Sequence, residues 1–123
     1  MRALLVDDSK TIRMLLKEQL QGLGFEVTEA VDGRQALNRL KNMSPVDLVL
    51  VDWNMPEMDG LSFVRAVRAE ADYSMLPMMM VTTNAELSQV SKALDAGANE
   101  YIMKPFTTEI LREKLQLLGF LQG

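Results

Sequence analysis

The chain has 123 residues, of which 48% are apolar and 24% charged, with a net charge of -4 and neither cysteine nor histidine. That length builds one domain around one core. The missing Cys and His exclude disulfides, zinc centres of the usual kind, thiol nucleophiles and imidazole acid–base chemistry, so any nucleophile is a carboxylate, hydroxyl or amine. A net negative charge with no basic cluster speaks against direct nucleic-acid binding. No apolar run approaches the ~20 residues of a membrane span. The opening apolar run is broken by Asp7 and Asp8, too short for a signal peptide, and the chain reads as cytoplasmic.

Ala3, Leu4, Leu5 and Val6 form a short apolar run that Asp7 and Asp8 end, with Asp8 or Ser9 suited to cap the helix that follows. Ile12, Leu15, Leu16, Leu20 and Leu23 recur at helical spacing, and Gly22 and Gly24 stop that helix. From Phe25 to Ala30 apolar and polar residues alternate, as in an outer strand. Asp32 and Gly33 turn the chain into a second amphipathic segment carrying Ala36, Leu40 and Met43, ended by Ser44 and Pro45. Leu48, Val49, Leu50 and Val51 are unbroken apolar residues, the signature of a strand buried on both faces, and Asp52 stands at its last rung. Pro56, Asp59 and Gly60 make a loop and start a third helix with Val64, Val67 and Ala71 inside and Arg65 and Arg68 on its wet side. Leu76, Met78, Met79, Met80 and Val81 make another buried run; because Met has little strand preference, its type rests on length and on flanking Pro77, Thr82 and Thr83. The ten Met residues are adaptable core filler. Residues 84–95 read as a helix with Leu87, Val90 and Leu94 on one face and Gly97 as its stop. Tyr101, Ile102 and Met103 form a last strand. Lys104 precedes Pro105, which pushes Lys104 from the helical region and allows a cis bond. Leu111, Leu115 and Leu118 mark the closing helix.

Strand and helix thus alternate five times without a linker or repeat, which implies an α/β fold with a parallel sheet covered on both faces. Right-handed crossovers bring the C-terminal end of every strand to one edge. Asp7, Asp8, Asp52, Thr82, Thr83 and Lys104 all follow strands, so one rim collects them. Each alone has an ordinary explanation as a solvated strand end or a cap. Together they pose an electrostatic problem: two like charges about 4 Å apart repel by roughly 4 kcal/mol at an effective dielectric near 20. Lys104 cannot neutralise three carboxylates. A hard divalent cation can, and Mg2+ suits one or two direct carboxylates with waters and phosphate oxygens. The expected ligands are Asp8 and Asp52 directly, a backbone carbonyl near Asn54, and Asp7 through water. Beside a metal, Asp52 becomes a nucleophile toward phosphorus. Lys104 would bind a phosphate oxygen, and Thr82 would donate to another once the group has arrived.

The segments Val6-Asp7-Asp8-Ser9, Leu50-Val51-Asp52-Trp53-Asn54-Met55-Pro56-Glu57-Met58-Asp59-Gly60, Val81-Thr82-Thr83 and Tyr101-Ile102-Met103-Lys104-Pro105-Phe106 resemble the receiver domain of bacterial two-component response regulators, most closely the single-domain CheY-like group. The resemblance covers essentially residues 1–123. It implies a doubly wound, flavodoxin-like sheet of five parallel strands in the order 2-1-3-4-5 with five helices. It further implies that Asp52 is the phosphoacceptor, that Asp7 and Asp8 are the magnesium-binding pair, that Thr82 and Lys104 sense the phosphate, and that Tyr101 is the switch aromatic. Trp53, beside the acceptor, is similar to a Trp that reports metal and phosphate by fluorescence. The donor implied is a histidine kinase or phosphotransfer protein, which must supply the phosphohistidine because this chain has no His. The output face implied is the fourth helix, fifth strand and fifth helix, with Ala85, Val90, Leu94, Tyr101, Met103, Phe106 and Lys114 as candidates, in a pathway such as chemotaxis. Thr83 stands where such proteins commonly carry Ala or Gly, Leu87 where the chemotaxis members carry a basic residue, and Asn54 and Asn84 lie at positions that tune phosphate lifetime. Such a domain catalyses its own phosphorylation and dephosphorylation without being a conventional enzyme, and an ending without a linker points to a stand-alone domain. The competing readings are a haloacid-dehalogenase-like phosphohydrolase, disfavoured because Asn54 replaces its acid–base Asp; a phosphate-independent docking module, disfavoured by the intact rim; and flavin binding, disfavoured by the acids after the first strand.

Overall fold

The computed structural model describes residues 1–43, 45–53, 55, 58–83, 89–104 and 106–121. Five parallel strands, β1 (Arg2–Val6), β2 (Glu26–Ala30), β3 (Leu48–Asp52), β4 (Met78–Thr82) and β5 (Glu100–Met103), form one sheet in the order β2-β1-β3-β4-β5. Five helices connect or close them: α1 (Lys10–Gly22), α2 (Gly33–Asn42), α3 (Gly60–Ala69), α4 (Val90–Ala96) and α5 (Thr108–Leu117). This is the flavodoxin-like order expected above. No helix among the described residues is long and apolar enough to cross a membrane.

The strands without polar alternation occupy the middle of the sheet. Every residue of β3 and β4 is buried, whereas β2, which does alternate, lies at the edge and is half-exposed. Period-two geometry sorts their side chains into two cores. Leu4, Val6, Val49, Val51, Met78 and Met80 face Phe63, Val64, Val67, Leu40 and Ala93 on the side of α2, α3 and α4. Ala3, Leu5, Leu48, Leu50, Met79 and Val81 face Leu16, Leu20, Leu111 and Leu115 on the side of α1 and α5. Four helices start at side-chain caps, where Ser9, Asp32, Asp59 and Thr107 accept from the backbone N–H three residues on.

Three expectations are corrected. The helix α3 ends at Ala69, so Ala71 belongs to a separate 3-10 turn, Ala71–Tyr73. The strand β4 starts at Met78 rather than in the residues before it; Pro77 has no N–H to give, and only its carbonyl joins the ladder, accepting from Val49 N–H at 2.9 Å. Arg68 is only partly exposed, and its head group is turned onto the protein rather than left in water. Its guanidinium donates to Gly97 O (3.0 Å), Tyr73 O (2.7 Å) and Asn99 Oδ1 (2.8 Å), tying the turn before β4 to the loop before β5, and burial lowers its pKa. The expected helix over 84–95 is described only as α4; Asn84 and Leu87 lie outside the described residues, as do Ser44 and Pro105.

Gly60 joins fold to site. Its N–H donates to Trp53 O at 2.9 Å, closing the loop back onto the end of β3. A Cβ there would collide with the Asp52 carbonyl oxygen and lie 2.8 Å from Met80 Cε. Because the nearer obstacle is backbone, Gly60→Ala is expected to destabilise the protein by about 1–3 kcal/mol and to displace Asp52. A urea melt reads the first effect and Trp53 emission the second; an unchanged midpoint would show that the loop yields freely.

Candidate functional site

The ladder registers put the functional side chains on one edge. Val6 pairs with Val51, Asp52 with Val81 and Thr82 with Met103. Asp7, Asp52, Thr82 and Lys104 therefore emerge from neighbouring strand ends at almost the same height. One carboxylate oxygen from each of Asp7, Asp8 and Asp52 lies within 4.8 Å of the others. Asp7 and Asp52 are buried, 1% and 7% exposed, while Asp8 opens to solvent. The Lys104 ammonium is 3.1 Å from Asp52 Oδ1 and 3.5 Å from Asp7 Oδ2.

One cation thus serves two buried carboxylates and a third nearby. Burial, reinforced by the Asp7 carboxylate, pushes the Asp52 carboxyl from its ordinary 3.8 up to about 6, even with Lys104 pulling it down. Burial also opposes the charge on Lys104, but the Asp52 and Asp7 carboxylates outweigh it and hold the ammonium above its usual pKa. The donor set is all oxygen, converging and open to water at Asp8, which fits a hard divalent cation such as Mg2+. Asp7, expected to act through water, is the most buried of the three: its Oδ1 accepts from Ser9 N–H at 2.8 Å and its own N–H donates to Ala30 O at 3.1 Å. The expected carbonyl ligand at Asn54 lies outside the described residues.

Thr82 ends β4 wholly buried, and its hydroxyl donates to Thr83 O at 3.2 Å. The Lys104 N–H donates to Thr82 O at 2.7 Å, so the backbones carrying the two residues are joined. Trp53 is 7% exposed, and its N–H donates to Val81 O at 3.1 Å, which holds the indole-bearing residue next to Asp52. Tyr101 is half-buried on β5 with Lys114 Nζ 4.4 Å from its ring centroid, and Lys114 also pairs with Glu100 at 3.2 Å.

Of the candidates for the output face, Leu94 and Met103 are exposed and Phe106 and Lys114 partly so. Val90 is only 8% exposed: with Ala93, three residues on, it forms the inward stripe of α4, while Ser91 and Lys92 between them are exposed. Ala85 lies outside the described residues. Sequence reading missed Arg13, whose guanidinium reaches Asp7 O at 2.7 Å. A signal was available in Glu29, an acid in the alternating edge strand beside β1, which pairs with Arg13 at 3.2 Å.

Comparison with known proteins agrees with this geometry. Residues 3–116 match the family described as response regulator receiver domain. Over 117 residues the chain is 47% identical to a chemotaxis protein CheY homolog of Campylobacter jejuni, covering 94% of this chain and 90% of that one. It is 43% identical to the chemotaxis protein CheY1 of Helicobacter pylori over 119 residues, 96% of each chain. Among solved structures, the chemotaxis protein CheY4 of Vibrio cholerae is similar with a TM-score of 0.87 and 38% identity, covering 94% of this chain and 96% of that one.

Proposed function

The chain belongs to the response regulator receiver domain family, and from that premise we propose that it is a phosphoacceptor switch of two-component signalling in which Asp52 receives the phosphoryl group. The carrying observation is the rim itself, two buried carboxylates in reach of the Lys104 ammonium with a third, open carboxylate beside them. A carboxylate oxygen of Asp52 attacks phosphorus, and the bond to the donor's imidazole nitrogen breaks, leaving an aspartyl-phosphate. The donor is a phosphohistidine on a kinase or phosphotransfer protein, since this chain has no His. Asp7, Asp8 and Asp52 would hold Mg2+, which when bound offsets charge on the transferring oxygens. Lys104, already 3.1 Å from Asp52, supplies the fixed positive charge that meets a phosphoryl oxygen. Thr82 then exchanges its bond to the Thr83 carbonyl for one to the phosphoryl group.

That exchange is the proposed trigger. A dianion at Asp52 draws the Thr82 side chain toward the rim, and Tyr101, one strand over, turns into the space released. The surface of α4, β5 and α5 changes with it, and an output protein reads the change. The named relatives are chemotaxis proteins, which supports a chemotaxis pathway as the setting.

Trp53 makes the test direct. Its emission is expected to respond to Mg2+, and to respond a second time when acetyl phosphate or beryllofluoride is added. A metal response with no second step from either reagent would leave a cation pocket without acceptor chemistry and would favour the phosphate-independent docking module.

A further inference from the structure

Asp7 is held at both its backbone and its side chain, and one of these holds comes from outside the rim. The Arg13 guanidinium, 13% exposed, donates from Nη1 to the Asp7 carbonyl at 2.7 Å and from Nε to Glu29 Oε1 at 3.2 Å. Glu29 is held in turn by Lys17 at 3.4 Å from its other oxygen. A chain of alternating charges therefore runs from the surface of α1, through the edge strand β2, to the peptide that joins Asp7 to Asp8. That peptide follows the last rung of β1, and the next anchor is the Ser9 cap of α1. Asp8 itself is exposed.

We propose that Arg13, oriented by Glu29, is a positioning residue for divalent-cation binding: by gripping the Asp7 carbonyl it fixes the direction in which Asp7 and Asp8 present their carboxylates. The proposal rests on the reading of the rim as a cation site. Its physical basis is the planar fork of arginine, which can make both bonds at once at fixed angles. A lysine carries the same charge, but its three donors radiate from a single nitrogen and do not reproduce the fixed two-nitrogen fork that meets Asp7 O and Glu29 at set angles. Groups that orient ligands from behind govern affinity nearly as strongly as the ligands.

A Coulomb argument predicts the opposite sign, which makes the inference decidable. If Arg13 acted only as a nearby positive charge it would repel the cation; Arg13→Lys would then be silent and Arg13→Met would tighten binding. A positioning role predicts that Arg13→Lys weakens Mg2+ binding by about tenfold, that Arg13→Met weakens it at least as much, and that Glu29→Gln, which leaves the guanidinium in place but loosens its orientation, weakens it less.

Mg2+ alone is the probe, titrated against Trp53 emission in the full chain, with amide hydrogen exchange of Asp8 and Ser9 in metal-free protein as the second reading. Faster exchange at those two amides in Arg13→Lys, with the middle of α1 unchanged, accompanies the affinity loss if the grip is real. Should Arg13→Lys fail to fold, Glu29→Gln carries the test through the metal-free exchange of the Asp8 and Ser9 amides, because loss of the Glu29 charge by itself also weakens Mg2+ binding but does not loosen that peptide. Variants that bind Mg2+ as tightly as the wild type, or more tightly, overturn this inference and leave the switch reading intact. A wild-type chain that takes up no Mg2+ overturns the switch reading itself.

Discussion

Asp52→Asn will abolish phosphoryl incorporation from acetyl phosphate and at the same time make the metal-free protein more stable at neutral pH. The loss follows because an amide is no nucleophile toward phosphorus. The gain follows from the carboxyl that burial and Asp7 push up to about 6. A carboxyl whose folded pKa lies above its unfolded value binds its proton more tightly in the folded state. Between roughly pH 4 and pH 6 the folded protein therefore holds more protons, and its stability falls as pH rises through that window. Above it the full penalty for a buried charge remains. At about 1.4 kcal/mol per unit, cut down for water at the open side of the rim, the penalty is roughly 1–2 kcal/mol. Urea melts of metal-free protein at pH 5 and pH 7 check this: the wild type should lose stability between them, the variant much less, and near pH 7 the variant should be the more stable. Mg2+ should remove most of the difference by stabilising only the wild type. A variant less stable than wild type at pH 7 without metal would mean that the Asp52–Lys104 pair outweighs the repulsion.

Lys104→Ala is expected to do the reverse to stability while also impairing function. The ammonium is the one cation seen between Asp52 and Asp7 among the described residues. Removing one partner of a buried ion pair typically costs about 3–5 kcal/mol, and roughly 2 kcal/mol is expected at this half-open rim. The cost should be conditional. At pH 5 Asp52 can take up a proton and relieve it, and at neutral pH Mg2+ can replace the missing charge. Stability measured at both pH values, with and without Mg2+, should show a deep deficit in one quadrant only, neutral and metal-free. An equal deficit in all four would assign Lys104 a packing role. In the variant the phosphorylated form should also accumulate more slowly and change Trp53 emission less, because nothing meets the phosphoryl oxygen that Lys104 would have held.

The central strands were legible because burial on both faces leaves an unbroken apolar run, as in β3, and edge strand β2 because half-exposure leaves alternation. Capping residues were legible for the same local reason: Ser9, Asp32 and Asp59 declare helix starts by chemistry that operates over three residues. The strand order was not legible from periodicity, which shows alternation of elements but not which strands are neighbours; it came from resemblance. Arg68 was misread because helical spacing tells which side of α3 faces the sheet, but not that the Gly97 and Tyr73 carbonyls lie waiting at its end. That Asp7 is closed in while Asp8 is open was hidden from the sequence for a related reason. Adjacent residues leaving a strand point to opposite sides, and only the neighbouring chain at Ala30 and Lys104 decides which side is closed. Arg13 escaped notice because its partner is a backbone carbonyl, which has no sequence signature.

The hydroxyl of Thr82 already donates, to the Thr83 carbonyl, so on the switch reading a phosphoryl oxygen does not meet a free donor but must outbid an existing acceptor. The driving force available there is a difference, a charge-assisted bond of about 1.5–3 kcal/mol less a neutral one of about 0.5–1.5. A margin of roughly 1 kcal/mol shifts an equilibrium between two conformers by about fivefold. On the switch reading, Thr82 by itself shifts the equilibrium by a graded factor rather than all or none, and an output partner that prefers the output-competent form adds to that shift by its own differential affinity. The size of the Thr82 factor is then set by how well the Thr83 carbonyl competes.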